Sequence, residues 1–265
     1  MDNYLEINRK SWNERVPHHL SSEFYDVKGF LEGKSSLKSI ELELLGDVTK
    51  KKILHLQCHF GQDSISLSRM GAEVTGIDLS DAAIEAARNL AAQCGTDTKF
   101  VVSDVYDLPN NLDEKFDIVF TSYGTIGWLP DLSKWAKVIA HFLKPGGIFV
   151  MADFHPFIWM YDDYFKEIAY SYFNVEPIVE TIEGTYADRN ADLKMNTVGW
   201  NHPTSEVLNS LLQENLELNA FNEINYSPYS SFQNSVEIGE GRFHIQGFGD
   251  KFPYVFAIKA TKKPD

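Results

Sequence analysis

The sequence predicts an α/β fold: a doubly wound, mostly parallel seven-stranded sheet with an antiparallel last strand, preceded by a helical cover and carrying an inserted lid. Three observations carry this prediction. Short apolar runs alternate with segments of helical spacing between about residues 53 and 153. The run FDIVFT at 116–121 is apolar on both faces, as a central parallel strand must be. Two late segments, 218–226 and 254–261, alternate like paired strands that close a sheet.

In chain order, residues 3–15 carry Tyr4, Ile7, Ser11 and Trp12 on one side of a helix that Pro17 is expected to end. A second helix is expected from Ser36, as N-cap, to Gly46 as stop. Ile53, Leu54 and Leu56 form a buried strand, followed by a turn at His59, Phe60 and Gly61. Ser64, Ile65, Leu67, Ser68 and Met70 recur at helical spacing, and Gly71 supplies the stop. The next strand, 74–77, ends on Asp78. Ser80 caps a helix that runs to Gly95; strand 100–102 leads into Ser103, Asp104 and Val105. Strand 116–121 leads into Ser122, Tyr123 and Gly124. A helix at 131–143, a tight Lys-Pro-Gly-Gly turn and a strand at 148–153 complete the alternation. Residues 154–201 break it with an aromatic, acidic insertion that has strand character near 178–186. A helix at 204–216, capped at or near Thr204, precedes the closing strands, and 227–253 between them reads as a polar loop. The expected organisation is one domain: cover 1–49, ligand-binding core 50–154, insertion 155–201, and closing helix and strands 202–265.

Composition narrows the function classes. Asp and Glu number 38 against 24 Lys and Arg, a net charge of −14, and no basic run appears, so a nucleic-acid partner is not expected. Two cysteines, Cys58 and Cys94, are too few for a disulfide framework and suit a reducing compartment. The polar start MDNYLEINRK lacks the apolar core of a signal peptide, and no apolar run reaches the roughly 18 residues that span a bilayer. A cytoplasmic protein without a membrane partner, monomer or homodimer, is the expectation.

Residues 53–78 form a strand–turn–helix–strand–acid unit. In such a unit the turn amides and the helix N-terminus face a ligand, and the acid accepts from ribose hydroxyls. Gly61 and Asp78 are 17 positions apart, close to the roughly 20 expected of a glycine turn and its acid. Ligands of open α/β sheets sit beyond the C-terminal strand ends, which gathers 57–63, 78–79, 103–105 and 122–124 round one crevice.

The 53–78 stretch resembles motif I of the class I S-adenosylmethionine-dependent methyltransferases. FDIVFTSYG, then a helix, then LKPGGIFVMADF is similar to the same family, and the likeness covers about 50–154 well. It implies a Rossmann-like fold, S-adenosylmethionine as cofactor, and methyl transfer to a small-molecule acceptor. By the resemblance, Asp78 holds the ribose and Asp104 the adenine amino group, Val105 backbone reads the ring edge, Leu79 and Ile84 give it apolar contact, and Gly61 allows close approach at the methionine end. Gln57, His59, Asp63, Ser103, Ser122 and Tyr123 complete the cofactor-binding set. The family usually has an acid and three alternating glycines where this chain has His55, Gln57, His59 and Gly61. Asp63, Gln57 or backbone carbonyls are expected to replace the acid at the methionine ammonium.

Methyl transfer needs position and orientation first, and a base only where the acceptor holds a proton. Tyr123 and His155, at strand ends, are the catalytic candidates. Trp12, His19, Tyr25 and His202 are candidates to line the acceptor side; core packing explains them equally well. Strand alternation separates His55 from Cys58 and the spacing fits no closed zinc pattern, so no metal is expected. A non-catalytic S-adenosylmethionine binder remains an alternative. So does a nicotinamide-dependent oxidoreductase, which would want glycines at Gln57 and His59.

Overall fold

The computed structural model describes residues 3–174 and 176–264. In chain order the elements are α1 (Tyr4–Ser21), α2 (Val27–Leu31), α3 (Ser39–Leu45), β1 (Lys52–Leu56), α4 (Gln62–Arg69), β2 (Glu73–Asp78), α5 (Asp81–Cys94), β3 (Lys99–Val102), α6 (Leu108–Asn111), β4 (Phe116–Ser122), α7 (Leu132–Phe142) and β5 (Leu143–Phe154). There follow β6 (Ile178–Glu183), β7 (Lys194–Gly199), α8 (Thr204–Gln213), β8 (Leu216–Ile224), β9 (Ser235–Gly239), β10 (Arg242–Ile245) and β11 (Val255–Lys262).

Seven strands form one sheet in the order β3-β2-β1-β4-β5-β11-β8. β3, β2, β1, β4 and β5 are parallel, and β11 runs antiparallel to both of its neighbours. The order reverses between β1 and β4, so their C-terminal ends flank a topological switch point. Both faces are covered, as the uniformly apolar strands require. Leu54, Val119, Phe149 and Phe256 pack with Trp135, Ile139 and Phe142 of α7 and Val207 and Leu211 of α8. On the other face Ile53, Phe120 and Val150 pack with Leu44 of α3 and Leu67 of α4.

Several elements differ from the sequence reading. α1 continues through Pro17 to Ser21. Proline removes one backbone bond and crowds the carbonyl four residues back, and burial of Val16 and His19 holds the next turn in place against that cost. α2 forms where no helix was expected, capped by the Asp26 side chain on Gly29 N–H at 3.0 Å. α3 begins at Ser39 rather than Ser36, because the Glu41 carboxylate takes the Lys38 N–H. The N-cap of α8 is Pro203, next to the expected Thr204. The Lys-Pro-Gly-Gly turn is drawn into β5: Leu143 pairs with Phe116, and pairing resumes at Ile148 with Ile118. The segment expected as a polar loop holds the β9–β10 hairpin, turned by Gly239, Glu240 and Gly241, all at positive φ. The insertion folds into the β6–β7 hairpin, and β7 lies against α1 and the one-turn 3-10 helix Ile126–Trp128.

Candidate functional site

A cleft of about 1040 Å³ opens beyond the C-terminal ends of β1–β4, with α1 and the insertion as its other walls. Gln57, His59, Gly61, Asp63, Asp78, Leu79, Ser103, Asp104, Val105, Ser122 and Tyr123 all line it, as do Trp12, Tyr25 and His202. His155, His19 and Ile84 do not.

The β1–α4 turn follows a glycine-type path without the glycines. Gln57 has φ 54° and His59 φ 51°, alternating with Gly61 at φ 81°. Non-glycine residues there cost about 1 kcal/mol or more each, held by surrounding contacts. Gln57 Nε2 donates to Thr125 O at 2.9 Å, tying the turn to the loop after β4. His59 N–H donates to Asp78 Oδ2 at 2.8 Å, and Ser80 N–H donates to Asp78 Oδ1 at 2.8 Å. Asp78 is therefore aimed from the end of β2, where burial outweighs these donors and raises its pKa to about 6.

Gly61 lines the cleft and is also needed for packing. A Cβ there would meet Phe100 Cζ at 2.5 Å and Ala87 Cβ at 3.1 Å, so its missing side chain serves packing of the turn on α5 and β3. Ile84 likewise lies wholly in the core with Cys58 and Phe30.

At the β4 end, Asp63 Oδ2 accepts from Ser122 Oγ at 2.9 Å. Ser122 Oγ lies 3.4 Å from His55 Nε2, and His55 Nδ1 lies 2.8 Å from Ser64 Oγ. Burial lowers the His55 pKa to about 4, against an opposing pull from Asp63, so the ring is neutral near pH 7 and repels no cation. Gln57 Oε1 is buried without a hydrogen-bond partner. An unpaired buried acceptor on a cleft wall is costly until a donor reaches it. Asp104 accepts from Tyr106 N–H at 3.1 Å and Asp107 N–H at 3.3 Å, and burial raises its pKa.

The catalytic candidates separate. Tyr123 faces the cleft at φ 38°. Its hydroxyl donates to Glu41 Oε2 at 2.7 Å, and burial lifts the phenol pKa well above its ordinary value. Glu41, fully buried on α3, is raised by burial and by Asp63 to about 7. His155 points elsewhere. Its N–H continues the pairing with β11 through Tyr254 O at 2.9 Å, which turns the ring over Phe256 to lie 3.2 Å from Glu223. His202 reaches the cleft wall, but its ring nitrogens lie 2.7 Å from Leu129 O and 3.1 Å from Glu206. His19 packs behind the wall with Nδ1 3.3 Å from His59 Nε2 and is lowered by burial to about 3.

Sequence reasoning missed four residues. Asp153, at the end of β5, accepts from the N–H groups of Gly124, Thr125, Ile126 and Phe154 and from Thr125 Oγ1, fixing the loop after β4. A carboxylate closing the apolar run FVMAD was the available signal. Glu41 could have been read from its place three residues after Lys38 at a helix start. Arg15, three positions from Trp12 on α1, and Tyr186, in the insertion, carried no local signal.

The family model described as a methyltransferase domain matches residues 53–147. The ubiquinone biosynthesis O-methyltransferase of Serratia proteamaculans is 24% identical over 154 residues, covering 54% of this chain and 64% of that protein. That of Alkalilimnicola ehrlichii is 29% identical over 131 residues, 48% of this chain and 53% of that protein. The chain thus spans between half and two thirds of the curated relatives it matches. Two solved S-adenosylmethionine-dependent methyltransferases share the fold. That of Mesorhizobium loti has TM-score 0.56 at 19% identity, covering 87% of this chain and 99% of that one. That of Clostridium acetobutylicum has TM-score 0.57 at 14% identity, covering 97% and 99%.

Proposed function

We propose that this chain, whose residues 53–147 match a methyltransferase domain, is a class I S-adenosylmethionine-dependent methyltransferase that methylates a small-molecule acceptor in the cleft beneath α1. The observation that carries the proposal is the acceptor set on the cleft wall. Asp78 and Asp104 present carboxylates at the ends of β2 and β3, while Gln57, with its unpaired Oε1, and Asp63 line the cleft at the switch point.

These residues fit the cofactor chemically. Asp78 suits vicinal hydroxyls, and Asp104 with Val105 backbone suits an adenine edge. Gln57 Oε1 and Asp63, beside a neutral His55, suit an ammonium. When bound, the cofactor supplies an electrophilic methyl on a sulfonium, which leaves as a neutral thioether on in-line attack. The chain's part is to orient the acceptor, exclude water and take up any proton it sheds. Tyr123 is the candidate for the last task. Its hydroxyl can accept a proton from the acceptor as its own passes to Glu41 Oε2, and a carboxyl titrating near neutrality suits that transfer. The aromatic walls formed by Trp12, Tyr25 and Trp128 suit a small organic acceptor, and the net charge of −14 agrees with a partner other than nucleic acid.

A pyrophosphate-binding role has less support. Such sites need free turn N–H donors, whereas His59 N–H is given to Asp78 and Gly61 N–H to Cys58 O.

The test is turnover. Purified protein is incubated with methyl-labelled S-adenosylmethionine and a panel of hydroxylated, amino and carboxylated small molecules. Label transferred to one class, with matching release of S-adenosylhomocysteine, supports the proposal. Tight cofactor binding without transfer to any class points to a non-catalytic binder.

A further inference from the structure

Arg15 has no part in the chemistry above, yet it is among the most costly residues in the cleft. It is 4% exposed, lines the cavity and forms no salt bridge among the described residues. Its Nη1 is buried with no hydrogen-bond partner. Two indoles flank the guanidinium, with Cζ 4.7 Å from the Trp12 ring centroid and 5.6 Å from that of Trp128. Aromatic faces attract the charge but leave the in-plane N–H donors unmet. A buried cation without a counter-charge is destabilising, and a guanidinium cannot shed its proton to escape the cost. Burial lowers the guanidinium pKa, the electrostatic signature of that cost. The chain has 38 acidic residues, and among those described none comes within salt-bridge distance of Arg15.

The surroundings add donors rather than acceptors. The hydroxyls of Tyr25 and Tyr186 lie 2.5 Å apart on the same cavity wall. Of the pair's two hydroxyl protons one is used between them, and the other is free to donate. Unmet donors around a buried cation make a receptor for an anion.

Two anions could come here on the reading of the preceding subsection: the carboxylate of the cofactor's methionine, or a charge on the acceptor. Location favours the second. The methionine-end groups Gln57, Asp63 and Ser122 gather at the β1 and β4 ends, on the side where Lys38 stands 4.5 Å over the Tyr229 ring and Tyr229 meets Tyr123. Arg15 instead sits on α1 among Trp12, Trp128 of the 3-10 turn and the Tyr25–Tyr186 pair, and of the strand-end residues its charge acts on His59.

We propose that Arg15, with the Tyr25–Tyr186 hydroxyl pair, receives an anionic group carried by the methyl acceptor, a carboxylate or a phosphate-like group, so that the cleft selects acidic small molecules. The proposal rests on the methyltransferase reading for its acceptor and on the geometry of Arg15 for its charge.

The experiment follows thermal unfolding of the full chain saturated with S-adenosylhomocysteine. Inorganic phosphate or benzoate is titrated in, each against chloride at matched ionic strength, for wild type and Arg15→Met. Methionine keeps an apolar stem between the indoles and removes an unpaired charge, so without anions the variant should melt at or above the wild-type temperature. At least one of the two anions should stabilise the wild type, and Arg15→Met should weaken that anion about tenfold or more. S-Adenosylhomocysteine affinity should stay within about threefold. Tyr186→Phe, which keeps the ring, should weaken the same anion by a smaller factor. Equal anion responses in wild type and Arg15→Met would overturn the proposal. So would a variant that melts well below wild type, since Arg15 would then be structural. Loss of S-adenosylhomocysteine affinity with unchanged affinity for 5′-methylthioadenosine, which lacks the carboxylate, would also overturn it by assigning Arg15 to the cofactor. Failure of the wild type to bind S-adenosylhomocysteine would refute the methyltransferase reading instead, and the anion titration repeated on the protein alone would still decide the charge of the Arg15 site.

Discussion

Replacing Glu41 with Gln should stabilise the protein, and only above a defined pH. Glu41 is completely buried and accepts from Tyr123 Oη and from the Lys38 N–H, yet burial and the nearby Asp63 raise its pKa from 4.5 to about 7. The folded state therefore holds this proton over a pH range in which the unfolded chain has released it. The stability that the protonated carboxyl contributes is complete below 4.5 and is lost as pH rises through about 7. At about 1.4 kcal/mol for each pH unit, the loss comes to a little over ~3 kcal/mol. Gln reproduces the neutral carboxyl and cannot ionise. The stability difference between Glu41→Gln and wild type should open from pH 4.5, favour the variant, and level off above 7 at about 3 kcal/mol. Urea unfolding of both proteins across that range measures it, and groups common to both cancel in the difference. A flat difference, or a wild type more stable than the variant at pH 8, would show that the Tyr123 and Lys38 bonds fully support an ionised Glu41 and would refute the reasoning. In the labelled-methyl assay the same variant should lose the rise in rate near pH 7 if Glu41 takes the proton from Tyr123.

Three other substitutions probe the frame of the site. Asp153→Asn turns an amide NH₂ either toward the Gly124 and Phe154 N–H donors or toward those of Thr125 and Ile126, and should cost about 3 kcal/mol, read as a lower urea midpoint at unchanged slope. Gly76→Ala puts a Cβ 2.9 Å from Cys58 Sγ and 2.9 Å from the Phe100 ring in the interior of β2, and should lower stability by about 1–3 kcal/mol in the same assay. Asp104→Ala removes a cleft carboxylate whose bonds to Tyr106 and Asp107 are local; calorimetry should show S-adenosylhomocysteine binding weakened about tenfold, with the melting temperature nearly unchanged.

The sheet and the cleft wall were legible because their signals are local. A central strand must be apolar on both faces, so FDIVFT was readable as β4, and the acid closing 74–77 had to stand at a strand end facing the crevice. Ser80 and Gly95 capped α5 as their side-chain chemistry requires, with Ser80 Oγ accepting from Ala83 N–H and Gly95 in the left-handed region. The β1–α4 turn was harder: Gln57 and His59 hold left-handed angles that usually betray themselves as glycine, so composition hid a path that the backbone keeps. Gly61 was visible but its packing role was not, because its need for space comes from Phe100, nearly forty positions away. His155 failed for a related reason: its strand end pairs onward with β11, and no pattern within β5 reveals that turn. Arg15, Glu41 and Tyr186 depend on partners, or a lack of partners, that only the folded chain defines. The β9–β10 hairpin was masked because both strands are short and β9 turns little of its surface toward the core.

The central claim is that this cleft binds S-adenosylmethionine through Asp78. Its most direct test is calorimetric titration of the folded protein with S-adenosylhomocysteine, wild type beside Asp78→Asn. The account predicts saturable one-to-one binding by the wild type and a loss of about thirtyfold or more in the variant, in which a neutral amide replaces the carboxylate that faces the ribose hydroxyls. No binding by the folded wild type, or equal affinities for the two proteins, would contradict it.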